Sequence, residues 1–189
     1  MMNNYASLKT QTFGIPSSYQ LVPLRYQDIF EIMNWRNAQL SILRQQSILT
    51  KDMQERYYQT VILPSFTAKE PEQLLFSYLL EGKCIGYGGI VHIDWQSKRG
   101  EVSFLLNPER TAHPQQYQKD FSSFLQLIKT ITFHHLKFHR LFTETFDIRP
   151  EHIAILEEQG FAFEGRMKEH IWLEKKYIDS LIHGLLSNE

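Results

Sequence analysis

The stretch that decides the fold is RPEHIAILEEQGFAFEGRMKEHIWLEKKYIDSLIHGLL, residues 149–186. Pro150 fits the first position of a helix, where its missing N–H is not needed, and Gly160 fits the residue just past the last turn. These two residues predict a short helix between them. The sequence from Phe161 onward indicates two strands joined at Glu174-Lys175. The C-terminal part is therefore predicted as helix, strand, strand.

The segments before this stretch continue the mixture of strands and helices. Arg140–Phe146 is rich in β-formers and predicts one strand. The strongest helix precedes it and runs to about Leu136, because apolar residues recur there at three- and four-residue spacing: Tyr117, Phe121, Phe124, Ile128 and Ile131. Three further strand candidates come before that helix and suit an antiparallel meander, at residues 74–80, 84–93 and 101–106.

The N-terminal part predicts one strand and two helices. Residues 19–24 are typical of a short strand, and Asp28 with Glu31 forms a capping-box pattern for the first helix. Thr50 is a candidate N-cap for the second helix, which Pro64 is expected to end. The predicted core face of that helix has four-residue spacing: Met53, Tyr57 and Val61.

These elements give the order β-α-α-β-β-β-α-β-α-β-β, a mixed α/β fold. Residues 1–18 are predicted to be a flexible lead-in, and residues 19–189 form one domain, since 189 residues suit a single core. The 20 Lys and Arg nearly balance the 21 Asp and Glu, so no global field draws the chain to nucleic acid or an anionic membrane. A single cysteine, Cys84, and the lack of a recognisable signal or spanning segment favour a cytoplasmic protein.

The order of elements and several motifs resemble the GNAT acetyltransferase superfamily. GKCIGYGGIVHID at residues 82–94 is similar to the family's strand pair with an I-G-x-x-G segment, and EVSFLL at 101–106 to its central strand. Residues 149–186 are similar to the N-x-x-A-I-x-x-x-E-x-x-G-F-x-x-E-G segment and a later Asp. That later Asp marks the branch of ribosomal-protein alanine and nucleotide-amino-sugar acetyltransferases. The resemblance implies a central, mostly antiparallel, splayed sheet flanked by helices.

The resemblance also implies that acetyl-CoA enters a gap between the strands at 101–106 and 140–146. Unpaired backbone groups there would bind the pantetheine arm as if it were a strand, and an N–H would hold the thioester oxygen. The family's glycine-rich phosphate loop is replaced by NPERTAHPQQYQKD, which has no glycine. The residues expected to contact the cofactor are Val102, Phe104, Leu105, Leu106, Arg110, His113, Gln115, Gln116, Tyr117, Gln118 and Arg149.

The catalytic candidates are Glu101 and His92, because an ammonium group must lose a proton before it can attack a thioester. Glu101 begins the central strand and could act through one water; alternatively it pairs with Lys98 or Arg99 across the turn. His92 is a candidate because histidine is the residue type whose unperturbed pKa lies near neutrality, and its alternative is a core or rim histidine. The tyrosine that protonates the leaving thiolate in many members aligns with Leu156 and is missing.

The acceptor candidates come from a finer resemblance. WRN at 35–37, Arg44, and FDIRP at 146–150 are similar to amino-sugar N-acetyltransferases, although WRN also suits a plain helix end and Arg149 a surface residue. The expected substrate-binding residues are Trp35, Arg36, Arg44 and Asp179. The alternative role for Asp179 is that of an edge-strand charge that discourages aggregation.

The predicted function is direct acetyl transfer from acetyl-CoA to a primary amine, best fitted by a nucleotide-linked amino sugar. A protein N-terminus as acceptor and a non-catalytic GNAT-like scaffold remain alternatives. The expected partners are a small-molecule amine and a second copy in a homodimer, without nucleic acid or membrane. No metal site is predicted, since the histidines of the H-H-x-x-x-H spacing suit a helix end: His134, His135 and His139.

Overall fold

A computed structural model describes residues 3–45 and 47–187. Its centre is an eight-stranded sheet in the order β1-β2-β3-β4-β5-β6-β8-β7. Every neighbouring pair is antiparallel except β5 and β6, which are parallel. The strands are β1 Phe13–Gly14, β2 Tyr19–Pro23, β3 Leu74–Leu80, β4 Lys83–Asp94, β5 Arg99–Leu106, β6 Arg140–Phe146, β7 Ala162–Leu173 and β8 Lys176–Leu186.

Six α-helices cover the sheet, and they follow the order that the sequence predicts. They are α1 Ile29–Asn37, α2 Lys51–Tyr57, α3 Leu63–Thr67, α4 Pro108–Thr111, α5 Pro114–Lys129 and α6 Pro150–Glu158. The mixed α/β class is confirmed, with β1 and α4 as short additions to the predicted order. No helix among the described residues is both long and apolar enough to cross a membrane.

The C-terminal stretch folds as predicted. Pro150 opens α6, and Gly160 adopts a positive φ of 90° just after it. The turn at Glu174 and Lys175 has φ values of 48° and 65°, which is the left-handed geometry of a two-residue hairpin. The local sequence was sufficient to predict these elements, because each of them begins or ends at a residue with a special backbone conformation.

The predicted flexibility of residues 1–18 is wrong for the part that the structure describes. Tyr5 is buried at 1% exposure, and its hydroxyl donates to the Leu75 carbonyl at 2.6 Å. Leu8 and Phe13 are also in the core, and Phe13 belongs to β1. The apolar residues of this segment are isolated among polar ones and show no helical or strand periodicity. Their burial against β3 therefore could not be predicted from the local sequence.

The second helical region differs from its prediction in length and in orientation. A π-helical segment, Tyr58–Ile62, joins α2 to α3, so Pro64 lies near the start of α3 instead of ending the helix. The widened turn accommodates a residue that lacks an N–H. The predicted core face is exposed, and the neighbouring face is buried instead, through Tyr58, Ile62 and Phe66.

Asp28 does not cap α1 with its side chain. Its buried carboxylate accepts from the Arg25 guanidinium at 2.6 and 2.9 Å and from the Ser77 hydroxyl at 2.6 Å. The residue therefore ties the start of α1 to β3. The predicted capping box is wrong, because the Asp28 carboxylate is taken up by a local ion pair with Arg25 and a long-range hydrogen bond from Ser77.

Candidate active site

The parallel strands β5 and β6 separate after a short paired region. Arg99 pairs with Arg140, Gly100 with Leu141 and Glu101 with Phe142, and the pairing stops there. Beyond that point β5 continues to Leu106 and β6 to Phe146. One side of β5 therefore faces a gap, where backbone groups lack a neighbouring strand.

The gap widens into a cleft of about 860 Å³, counting the part open to solvent. Its walls combine apolar side chains with a small number of charged and hydroxyl groups, which is typical of a ligand site. The lining residues are Arg36, Ile42, Leu43, Arg44, Val91, Glu101, Val102, Ser103, Phe104, Phe121, Thr143, Glu144, Thr145, Phe146, Arg149 and His152.

Glu101 lies where the two strands part, and it is the centre of a charged network. Its Oε1 accepts from Arg44 Nη2 at 2.6 Å, and its Oε2 lies 2.7 Å from His92 Nδ1. Arg44 Nη2 also donates to Glu144 Oε2 at 3.1 Å, and His170 Nε2 lies 3.7 Å from Glu144 Oε1. Both catalytic candidates thus meet, together with the acceptor candidate Arg44.

The ion pair of Glu101 differs from the alternative that the sequence suggested. Its cationic partner is Arg44, which is distant in sequence, and Arg99 instead pairs with Asp94 at 3.3 Å. Proximity in sequence favoured Lys98 and Arg99, but Lys98 lies in the turn between β4 and β5 with a φ of 50°, and Arg99 binds Asp94 across that turn. Glu101 faces the cleft and the preceding cations do not share its site.

The WRN motif has two different roles in the structure. Trp35 is buried in the core, as the helix-end interpretation expected. Arg36 lines the cleft, where its guanidinium donates to the Tyr87 hydroxyl and, through Nε, to Gln45 Oε1 at 2.8 Å. Arg36 therefore presents a cation to the cleft, whereas Trp35 only supports the helix that positions it.

At the open end of the gap, three side chains share one hydroxyl group. Arg149 Nη2 donates to the Tyr117 hydroxyl at 3.0 Å, and that oxygen lies 2.7 Å from His152 Nδ1. His152 stacks on Phe121 with ring centroids 4.2 Å apart. Arg149 and His152 line both the main cleft and a neighbouring pocket that Tyr117 also lines. Tyr117 is thus buried and still reaches the site.

Burial, followed by the charges of Arg149 and His183, holds the pKa of His152 well below its usual range. His152 therefore stays neutral in the folded protein at pH values where an unfolded histidine, with a pKa near 6.5, becomes protonated. The unfolded state then binds the extra proton, so the free energy of unfolding falls by about 1.4 kcal/mol per pH unit as the pH drops below about 6.5.

We expect His152→Phe, which keeps the aromatic stacking, to flatten this pH dependence. Urea unfolding between roughly pH 5 and pH 7 measures it for both proteins. Equal slopes for wild type and variant would contradict this assignment.

The predicted phosphate-loop residues are spread around the starts of α4 and α5. Arg110 is held by the fully buried Asp120, with Nε at 2.7 Å and Nη2 at 3.0 Å. In α5 the first helical bond runs from the Tyr117 N–H to the His113 carbonyl at 2.9 Å. The backbone N–H groups of Gln115 and Gln116 therefore have no carbonyl partner within the helix.

The remaining candidates take peripheral positions. His113 is exposed just before α5, and Gln118 donates to Glu158 at 3.1 Å between two helices. Asp179 accepts from Arg166 Nη1 at 2.7 Å and from the Glu169 amide at 2.8 Å, and it holds the bulge of β7. These roles fit surface and hairpin structure, and a contact with cofactor or acceptor stays a prediction for all three.

Among the titratable side chains that line the cleft, Glu144 and His152 were not predicted. Glu144 lies in β6 between Thr143 and Thr145, and an acidic residue within a strand was the available signal. His152 lies in the first turns of α6, where a buried histidine has the same local pattern as a surface one. Leu156, at the position of the family's tyrosine, is fully buried and apolar.

The chain is similar to known acetyltransferases in sequence and in structure. The family model for the acetyltransferase (GNAT) domain matches residues 21–182, which is most of the chain. Among solved structures, the spermidine N-acetyltransferase from Vibrio cholerae in complex with CoA and spermine superposes with a TM-score of 0.77. The identity is 20%, over 90% of this chain and 96% of that one.

A second type of similar structure is RimL, a ribosomal L7/L12 alpha-N-protein acetyltransferase in complex with coenzyme A. It has a TM-score of 0.75 at 12% identity, and the match covers 93% of this chain and 98% of that one. A dodecameric form of the Vibrio cholerae enzyme matches with a TM-score of 0.73 at 18% identity, over 90% and 94% of the two chains. The described sheet and helices therefore share the fold of these acetyltransferases.

Proposed function

Because the chain belongs to the acetyltransferase (GNAT) domain family and is thus an N-acetyltransferase, we propose that it transfers acetyl from acetyl-CoA to a small anionic amine. A nucleotide-linked amino sugar is the proposed acceptor. The observation that carries the proposal is the charged cleft between β5 and β6, which joins an open strand edge to three arginines.

The proposed binding site for acetyl-CoA is the edge of β5 from Val102 to Leu106. Backbone groups on this edge have no partner strand, and the amides of a pantetheine arm supply the complementary donors and acceptors. Val102 and Phe104 add an apolar wall along the same path. A backbone N–H near Val102 would stabilise the negative charge that develops on the thioester oxygen.

The pyrophosphate is proposed to lie toward the open end of the gap. The backbone N–H groups of Gln115 and Gln116 at the start of α5 and the Arg149 cation are the groups proposed to bind the phosphates. Arg110 contributes less to phosphate binding in this arrangement, because its Nε and Nη2 already donate to Asp120. The helix terminus thus partly replaces a glycine-rich loop.

The charge of the cleft supports an anionic acceptor rather than a polycation. Its lining has three arginines, Arg36, Arg44 and Arg149, against two carboxylates, Glu101 and Glu144. Arg44 binds both carboxylates and offsets one of their two negative charges, so the lining as a whole has three positive charges against two negative ones. Within residues 3–45 and 47–187, no carboxylate forms an ion pair with Arg36 or Arg149.

The decisive experiment incubates the purified protein with acetyl-CoA and a panel of amines and detects products by mass. The panel contains nucleotide-linked amino sugars, spermidine and a short peptide with a free N-terminus. We expect acetylation of an amino sugar, with spermidine a much poorer acceptor. Preferred transfer to spermidine or to the peptide would overturn the acceptor class. Saturable acetyl-CoA binding without any transfer would favour a non-catalytic protein.

Arg36→Gln is expected to raise the KM for an anionic acceptor about tenfold or more, since it removes a charge-assisted bond worth roughly 1.5–3 kcal/mol. The affinity for acetyl-CoA, measured by calorimetry, should stay unchanged. Lys9→Gln, on the exposed surface, is the matched control for loss of one positive charge. Equal KM values for wild type and R36Q would remove Arg36 from the acceptor site.

The homodimer stays part of the proposal. A dodecameric form is known for the similar Vibrio cholerae enzyme, which supports assembly in general. Light scattering coupled to gel filtration measures the mass directly, and a monomer at all concentrations would contradict the expectation.

A further inference from the structure

His92 and Glu101 form a hydrogen-bonded pair across neighbouring strands. Nδ1 of His92, on β4, lies 2.7 Å from Oε2 of Glu101, on β5. The Glu101 side chain is 8% exposed, whereas the His92 side chain is 66% exposed. One ring nitrogen is thus engaged with a buried carboxylate, and most of the ring remains accessible.

Glu101 is poorly placed to accept a proton from substrate. Arg44 Nη2 occupies Oε1 at 2.6 Å, and Arg44 Nη1 lies 3.3 Å from Oε2, the atom that also contacts His92. Both carboxylate oxygens of Glu101 are therefore already engaged by other side chains.

His92 has the complementary properties. When the carboxylate accepts the Nδ1–H, the imidazole is fixed in the tautomer whose lone pair is on Nε2. We propose that Nε2 of His92 accepts the amine proton during acetyl transfer, and that Glu101 is a positioning residue that fixes the tautomer and ring orientation. This inference rests on the proposed function, and it assigns different roles to the two residues.

The backbone at His92 supports this assignment. His92 has a φ of 48° inside β4, where the register with β5 shifts between Val91 and Asp94. A left-handed conformation is unfavourable for a non-glycine residue and tends to persist where surrounding structure enforces it. The irregularity alters the direction of the residue relative to its strand and places its ring beside Glu101.

The reaction balances without a further reagent. The acceptor enters as an ammonium ion and loses one proton to solvent, and the free amine nitrogen then bonds to the thioester carbon. His92 Nε2 takes the second proton from that nitrogen as the C–S bond breaks. The imidazolium returns this proton to the leaving thiolate, giving an amide, coenzyme A as its thiol and the one proton already released to solvent.

Charged groups from several elements face the His92–Glu101 pair. Arg44, in the segment between α1 and α2, binds Glu101 beside His92. Glu144 on β6 and His170 on β7 complete the groups that face this network. If His92 is the base, its protonation must add one to the slope with which log kcat/KM falls toward low pH, beyond the contribution of the acceptor ammonium.

The test compares His92→Ala, His92→Gln and wild type in the transfer assay across pH. We expect kcat to fall about 10²–10³-fold, the range for loss of general-base catalysis, with unchanged acetyl-CoA affinity by calorimetry. Added imidazole should restore part of the activity of H92A, and both variants should lose the part of the acidic limb that wild type shows beyond deprotonation of the acceptor ammonium. His134→Gln, at an exposed histidine, is the matched control and should behave as wild type.

The possible failures have different signatures. If wild type acetylates an amine and H92Q retains kcat within about threefold with its acidic limb intact, His92 is not the base and only this inference fails. If wild type binds acetyl-CoA but acetylates nothing, the proposed function and this inference fail together. Folding of each variant is checked by its thermal midpoint.

Discussion

Glu101→Gln is expected to lower kcat for acetyl transfer about 10²–10³-fold while leaving the acetyl-CoA affinity within about twofold of wild type. The substitution keeps the side-chain volume but removes the charge that binds Arg44 and His92. An amide also presents its NH₂ group as readily as its oxygen, so the His92 tautomer is no longer fixed. The loss should therefore appear in turnover and not in cofactor binding.

Steady-state kinetics and calorimetry on the same preparation measure the two quantities. Glu70→Gln, which changes an exposed glutamate far from the cleft lining, is the charge-matched control. A thermal midpoint is needed as well, since breaking a buried ion pair can cost about 3–5 kcal/mol. An E101Q protein that folds and retains its full kcat would exclude Glu101 from both positioning and base catalysis.

Ser103→Trp should weaken acetyl-CoA binding by about 100-fold or more. Ser103 is partly buried on β5 beyond the last pair with β6, and it lines the cleft. An indole there occupies the space that the pantetheine arm needs, and 100-fold corresponds to about 2.7 kcal/mol. The variant tests the location of the cofactor without touching any charged group.

Ser103→Ala is the matched control, because it removes the hydroxyl without filling the gap. Calorimetry should give wild-type affinity for S103A and no saturation for S103W at micromolar ligand. Because the site is open, the tryptophan should change the thermal midpoint little. Wild-type affinity in S103W would place the ligand elsewhere and would remove the role of the β5 edge.

The sequence was most informative where a boundary depends on one residue's backbone geometry. Pro150, Gly160 and the Glu174-Lys175 turn fixed α6, β7 and β8. The sequence was least informative where two neighbouring residues fitted the apolar pattern of a helix equally well. Tyr57 and Tyr58 both fit four-residue spacing, and only packing against the sheet decides that Tyr58 is buried.

The sequence predicted several residues of the candidate site, but it did not predict which of them contact one another. Glu101 and His92 were identified from their chemistry, yet their contact needs the altered register between β4 and β5. Arg44 was assigned to the acceptor, although it binds Glu101 directly. Glu144 was missed because its proximity to Arg44 arises only from the crossover that brings β6 beside β5.

The parallel junction between β5 and β6 has three residue pairs, and it joins two portions of the sheet that are each continuous in sequence. Strands β1–β5 form one portion, and β6 to β8 form the other. A ligand lying along the exposed edge of β5 while touching β6 therefore bridges the two portions. Part of the binding free energy of such a ligand then stabilises the contact between the two portions of the sheet. Ligand binding and the stability of the β5–β6 junction are therefore linked.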